Sequence, residues 1–159
     1  MTDERDRDDS GRPRNARPRD ALGRPLPPGS AGVPRIPDDL FLPAVETLGY
    51  AQDLLDGGLP FHAHEVFEAA WKNGPAGERL LWQSLAQLAV GFTHIQRGNL
   101  AGAAALLRRA GDGLARVERP APYAIDVDGL IAGAAALADD LADGTEIGPT
   151  RLRPRLTAS

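Results

Sequence analysis

The sequence predicts an all-α protein: a single bundle of about five helices preceded by a disordered N-terminal tail. From Asp38 onward apolar residues recur at helical spacing. Glycine, proline and Asn-Gly breakers fall between the periodic segments rather than inside them. No run of alternating β-branched residues offers a strand in competition. The chain's 159 residues suit one domain.

Residues 1–37 are the tail. They hold seven of the 14 prolines, eight arginines and six acidic residues, with no long apolar side chain between Met1 and Leu22. Such a segment cannot bury enough surface to offset its ordering entropy. The arginines are not followed by an apolar stretch of the kind a signal peptide needs, and no run of 18 or more apolar residues is present. The expectation is a cytoplasmic protein without a membrane span.

Residues 38–144 form the helical domain. The first helix is predicted from about Leu40 to Leu55, with Asp38 or Asp39 as its cap, Pro43 in its first turn and Gly57-Gly58 as its stop. The second spans about Pro60 to Lys72 and ends at Asn73-Gly74. The third, about Pro75 to Arg97, is followed by Gly98-Asn99, where Asn99 can cap a fourth helix from about Leu100 to Val117. Pro120 and Pro122 impose a loop. The fifth, about Asp126 to Ala142, is alanine-rich and closes at Gly144. Residues 145–159 read as an extended or disordered C-terminal tail.

The charge is uneven. The formal net charge of -4 divides into +2 over residues 1–36, -8 over 37–144 and +2 over 145–159. Acidic residues interleave with the N-terminal arginines, and no aromatics accompany Arg108 and Arg109, so nucleic acid is not an expected partner. The absence of cysteine removes thiolate metal sites, disulfides and cysteine nucleophiles. Any metal must be held by His, Asp or Glu.

At about 100° per residue the second helix separates into faces. Ala63, Val66, Phe67, Ala70 and Trp71 form an apolar arc, with His64 and Glu68 at its edge. His62, Glu65 and Lys72 turn toward solvent. The third helix is apolar nearly all round and carries one polar stripe of Gln83, Gln87 and His94, with Gly91 beside it. A short connection makes these two helices antiparallel neighbours, so the stripes can meet.

His64, Glu68 and His94 are therefore the candidate metal ligands. Two imidazoles and a carboxylate suit Zn, Mn or Fe(II), and an open position would activate a water for hydrolysis. Glu65 is the candidate base, although its place on the wheel faces away. Gln83 and Gln87 would orient substrate or ligands, with Trp71 and Asn99 close by. The zinc-protease pattern is absent, because Glu68 stands where a second histidine is required. The simpler reading is structural: an i,i+4 pair of His64 with Glu68, His94 bonded locally, and the tryptophans as core. The alanine-rich faces Ala103 to Leu107 and Leu130 to Leu137 offer a homo-oligomer interface. A structural or interaction role is the favoured function, and a metal-dependent hydrolase the alternative.

The run Phe61-His62-Ala63-His64-Glu65-Val66-Phe67-Glu68-Ala69-Ala70-Trp71, followed by Gln83, Gln87, His94 and Arg97-Gly98-Asn99, resembles the bacterial family called domain of unknown function 309. The resemblance covers roughly Gly57 to Leu107. It implies a small all-α protein and places the family pattern on His64, Glu65, Glu68, Trp71, Gln87, His94, Gly98 and Asn99. The sequence departs from the pattern at His62, where an acidic residue is common, and at Ser84, where glycine is usual. The label of predicted metal-dependent hydrolase attached to related groups rests on the same His and Glu residues.

Overall fold

Short connections and a helix that is apolar on most sides leave few ways to fold this chain. The computed structural model describes residues 20–24, 32, 36–37 and 39–158. Within them are five α-helices: α1 (Ala44–Asp56), α2 (Pro60–Asn73), α3 (Arg79–Arg97), α4 (Leu100–Ala115) and α5 (Val127–Ala142). Each helix packs on the next in sequence, and α3 lies between α2 and α4. Leu81, Trp82, Leu85, Leu88, Ala89 and Phe92 of α3 are all buried. The end of α3 returns to the start of α2, where Gln96 Nε2 donates to Gly58 O at 3.0 Å, so the pair is antiparallel as expected.

The helix ends follow local chemistry. α1 begins at Ala44 rather than Leu40, with Pro43 as its cap residue and no side-chain cap. Leu42 precedes a proline and is steered away from helical dihedrals, so the helix cannot start earlier. Asp39 lies in the preceding turn, and Asp38 falls outside the described residues. Pro75 likewise stays outside α3, which is preceded by a 3-10 turn at Ala76–Glu78. Asn99 caps α4 as predicted, its Oδ1 accepting from Gly102 N at 3.2 Å, and Asp126 caps α5 in the same way. Gly98 closes α3 at φ 80°, a conformation that favours glycine.

The alanine-rich faces are divided between the surface, where Ala105, Ala132, Ala135 and Ala136 are exposed, and the bundle interior. Ala103, Leu107, Leu130, Ala134 and Leu137 are at most 3% exposed, because α4 and α5 pack against each other. Among the described residues no helix is long and apolar enough to cross a membrane.

Both terminal regions contribute to the bundle. Ile36 is buried in the core. Residues 20–24 form a turn in which Asp20 Oδ1 accepts from Leu22 N and Arg24 N. Leu22 O in turn accepts from Arg97 Nε at 2.8 Å. Gly23, at φ 79°, sits so close to Phe61 that an added Cβ would fall 2.2 Å from the ring. The expected disorder of the remaining tail concerns residues outside the described ones.

Beyond Gly144 the chain makes a 3-10 turn, Pro149–Leu152, and runs back across the bundle with Leu152 and Leu156 buried. Gln52 of α1 holds it with both ends of one amide: Nε2 donates to Pro154 O and Oε1 accepts from Leu156 N, each at 2.9 Å. Asp126 N donates to Leu156 O at 2.9 Å, so this segment joins α1 to the start of α5. Replacing Leu156 by Ala is expected to cost about 2–4 kcal/mol, read as a lower urea midpoint at unchanged slope. A segment that merely trailed along the surface would leave the midpoint where it is.

Candidate functional site

The polar residues singled out in the sequence lie on α2 and α3, and the structure gives them specific partners. His64 Nδ1 lies 3.1 Å from Phe61 O, one turn back on α2. Its Nε2 meets Glu68 Oε2 at 2.9 Å, and Lys72 Nζ reaches Glu68 Oε1 at 2.6 Å. The three side chains form one ladder of i,i+4 contacts, half-buried at His64 and Glu68 and exposed at Lys72. The hydrogen bond from His64, followed by that from Lys72, outweighs desolvation and lowers the Glu68 carboxyl from 4.5 to about 2.

His94 is engaged at the other end of the hairpin. Asn99 Oδ1 is committed to the N-terminus of α4, which turns Asn99 Nδ2 toward His94 Nδ1 at 3.1 Å. Nδ2 is a donor, so Nδ1 of His94 is the acceptor of this contact. One amide thus ties the last turn of α3 to the first turn of α4. Gln83 and Gln87 are half-buried, and among the described residues their amides make no hydrogen bond. Trp71 packs on the edge of the core.

This arrangement bears on metal binding. A metal-ligating histidine donates its second ring N–H to an acceptor. His64 has that geometry, with Nδ1 facing a carbonyl and Nε2 beside Glu68. His94 does not, because its Nδ1 faces a donor whose other end caps a helix. Among the described residues no three His, Asp or Glu side chains are grouped to hold a metal ion.

Two positions differ from expectation. His62, assigned to solvent, is fully buried, with its ring edge-on to Phe61 at 5.7 Å between centroids. Glu65, also assigned to solvent, is half-buried, and its Oε1 is inaccessible. A helical wheel assumes that one face is covered, whereas α2 is covered by α1 as well as α3. Ser84 is buried opposite Gly113 of α4, where an added Cβ would lie 2.3 Å from the Ser84 hydroxyl oxygen. The hydroxyl is thus absorbed in helix packing.

A second polar centre escaped the sequence reading. Glu78 accepts from Trp82 Nε1 at 3.1 Å and from the Tyr123 hydroxyl at 2.5 Å. The i,i+4 spacing of Glu78 and Trp82 was legible, but nothing local pointed to Tyr123, 45 residues away.

The fold and site define a small helical-bundle protein whose motif residues lie on one α-hairpin and the turn that follows it. The model of the family described as Domain of unknown function (DUF309) matches residues 48–106, which supports the resemblance read from the motif and places the match on α1 to α4. Neither the curated proteins nor the solved structures yield a match.

The lowered Glu68 carboxyl makes acid stability a direct test. A carboxylate held below its ordinary value contributes stability that is fully present above 4.5 and fades as the pH falls toward about 2. Wild type should therefore melt above the Glu68→Gln variant near neutrality, and the gap should close across that acid interval. A gap independent of pH would show that the ladder contributes nothing through charge.

Proposed function

We propose that this protein is a non-catalytic helical module of the cytoplasm, a structural or interaction protein in which motif residues brace α2 and join the end of α3 to the start of α4. One observation carries this reading: the ring nitrogens of His64, the carboxylate of Glu68 and Nδ1 of His94 are spent on bonds within the chain. A hydrolytic centre needs a base or ligand with a lone pair aimed at open space. Here His64 Nδ1 donates to a carbonyl, the Glu68 oxygens face His64 and an ammonium, and Nδ1 of His94 faces an amide N–H of the same protein.

Each bond has an evident structural use. The His64 ladder bridges consecutive turns of α2, and the Asn99 amide fixes where α3 stops and α4 starts. The Asn99 contact favours one α3–α4 register over its neighbours, since a slipped register leaves it unmet, whereas the His64 ladder is local to α2. The metal-dependent hydrolase reading would require His94 to exchange its Asn99 contact for an acceptor, at the expense of the α4 cap.

The double substitution His64→Ala with His94→Ala separates the two. The structural reading expects a loss of about 1–3 kcal/mol in chemical denaturation. It also expects wild type to melt at the same temperature with or without Zn, Mn or Fe(II). A metal-dependent rise in wild-type melting temperature that the double variant abolishes would overturn it.

A further inference from the structure

One cavity lies away from the motif, between the lead-in to α1 and the turn joining α2 to α3. Its volume is about 200 Å³. Leu42, Val66, Ala69 and Ala70 supply apolar walls, and Glu78, Trp82 and Tyr123 close one end. This is small beside the pockets that hold drug-sized ligands, and it suits a ligand of a few heavy atoms.

Glu78 gives the cavity its chemistry. It occupies the cap position of α3 yet makes no capping hydrogen bond. Its side chain turns to the aromatics instead, with one oxygen taking the Trp82 indole N–H and the other the Tyr123 hydroxyl. Both donors are neutral groups and bring no opposing charge. A carboxylate offers about four acceptor positions, of which these donors use two. No Lys or Arg among the described residues forms an ion pair with Glu78. The same hydrogen bond holds the Tyr123 phenol above its ordinary value, as a neighbouring anion does.

Tyr123 reaches this position at a conformational cost. It adopts φ 61°, in the left-handed region that a bulky residue rarely visits, and Ala124 follows at φ 56°. Its ring stacks on Trp82 at 6.3 Å between centroids. Strain of this kind persists only where the surroundings impose it, and it gathers at sites that bind.

We infer that this cavity binds an alkylammonium group, with Glu78 as its counter-ion, Tyr123 beside the cation and the aliphatic tail against Val66 and Ala70. A half-buried carboxylate with unused lone pairs, set among aromatic rings and an apolar pocket, matches an ammonium head on a short hydrocarbon chain. The net charge of -8 over residues 37–144 attracts cations in the same sense. The group could come from a free amine or from a lysine side chain, which share this chemistry. The inference stands apart from the reading of the His64 hairpin, and neither depends on the other.

The test is an NMR titration of the full chain, following the two indole N–H signals. The Trp82 signal reports the cavity, and that of Trp71, which does not line it, is the internal control. n-Butylammonium is expected to shift Trp82 saturably and to leave Trp71 in place. 1-Butanol, the uncharged isostere, should bind about tenfold more weakly, and so should n-butylammonium to the Glu78→Gln variant. Ala70→Leu fills the cavity with a residue that favours helix and should abolish the shift in a folded protein. Nα-acetyl-lysine methylamide distinguishes the sources. Binding at least as tight as that of n-butylammonium assigns the group to a protein side chain, and weaker binding assigns it to a free amine. Equal affinity for 1-butanol, undiminished binding to Ala70→Leu, or no saturable shift in wild type would overturn the inference.

Discussion

The fold depends on α3 having more apolar surface than one neighbour can cover. Leu81, Leu85, Leu88 and Phe92 are buried together with Trp82 and Ala89, so the helix must be enclosed from several directions. The short Gly74–Glu78 and Gly98–Asn99 connections deliver α2 and α4 as its flanking partners, and the rest of the bundle is arranged around that trio. α1 covers α2, and α5 covers α4. The burial that drives this is non-directional, so something more specific has to fix the register.

Hydrogen bonds between elements can act in that way. Hydrogen bonds add little net free energy but penalise arrangements that leave a partner unmet. The His64–Glu68–Lys72 ladder stays within α2, whereas the Asn99 amide spans two helices, reading the last turn of α3 with one end and the first turn of α4 with the other. At the far edge, the single amide of Gln52 performs a similar service for the C-terminal segment. These contacts pair motif residues within the chain, whereas Glu78 in its cavity keeps acceptor positions that its two donors leave unused.

Five helices and most of their boundaries were legible because they follow from local causes. Apolar period, Asn99 and Asp126 as caps, and Gly98 as a stop each act within a few residues. The start of α1 was misplaced because Pro43 was read as tolerated inside the first turn, when its effect on Leu42 places it at the boundary. The i,i+4 pairing of His64 with Glu68 was legible for the same local reason. The environment of His62 was not, since its burial depends on α2 being covered from a second side.

By itself, the sequence determined the helical class, the central role of α3, the antiparallel α2–α3 hairpin and the family resemblance. All of these are carried by spacing along the chain. The tertiary structure decided which polar groups became partners: it gave His94 to Asn99 rather than to His64 and Glu68, buried one side of the alanine-rich segments, docked residues 152–156 across α1, and brought Tyr123 to Glu78. Those outcomes depend on how helices rotate about their axes and on contacts between residues as far as 104 positions apart. Periodicity fixes which residues share a face, but not what that face will meet.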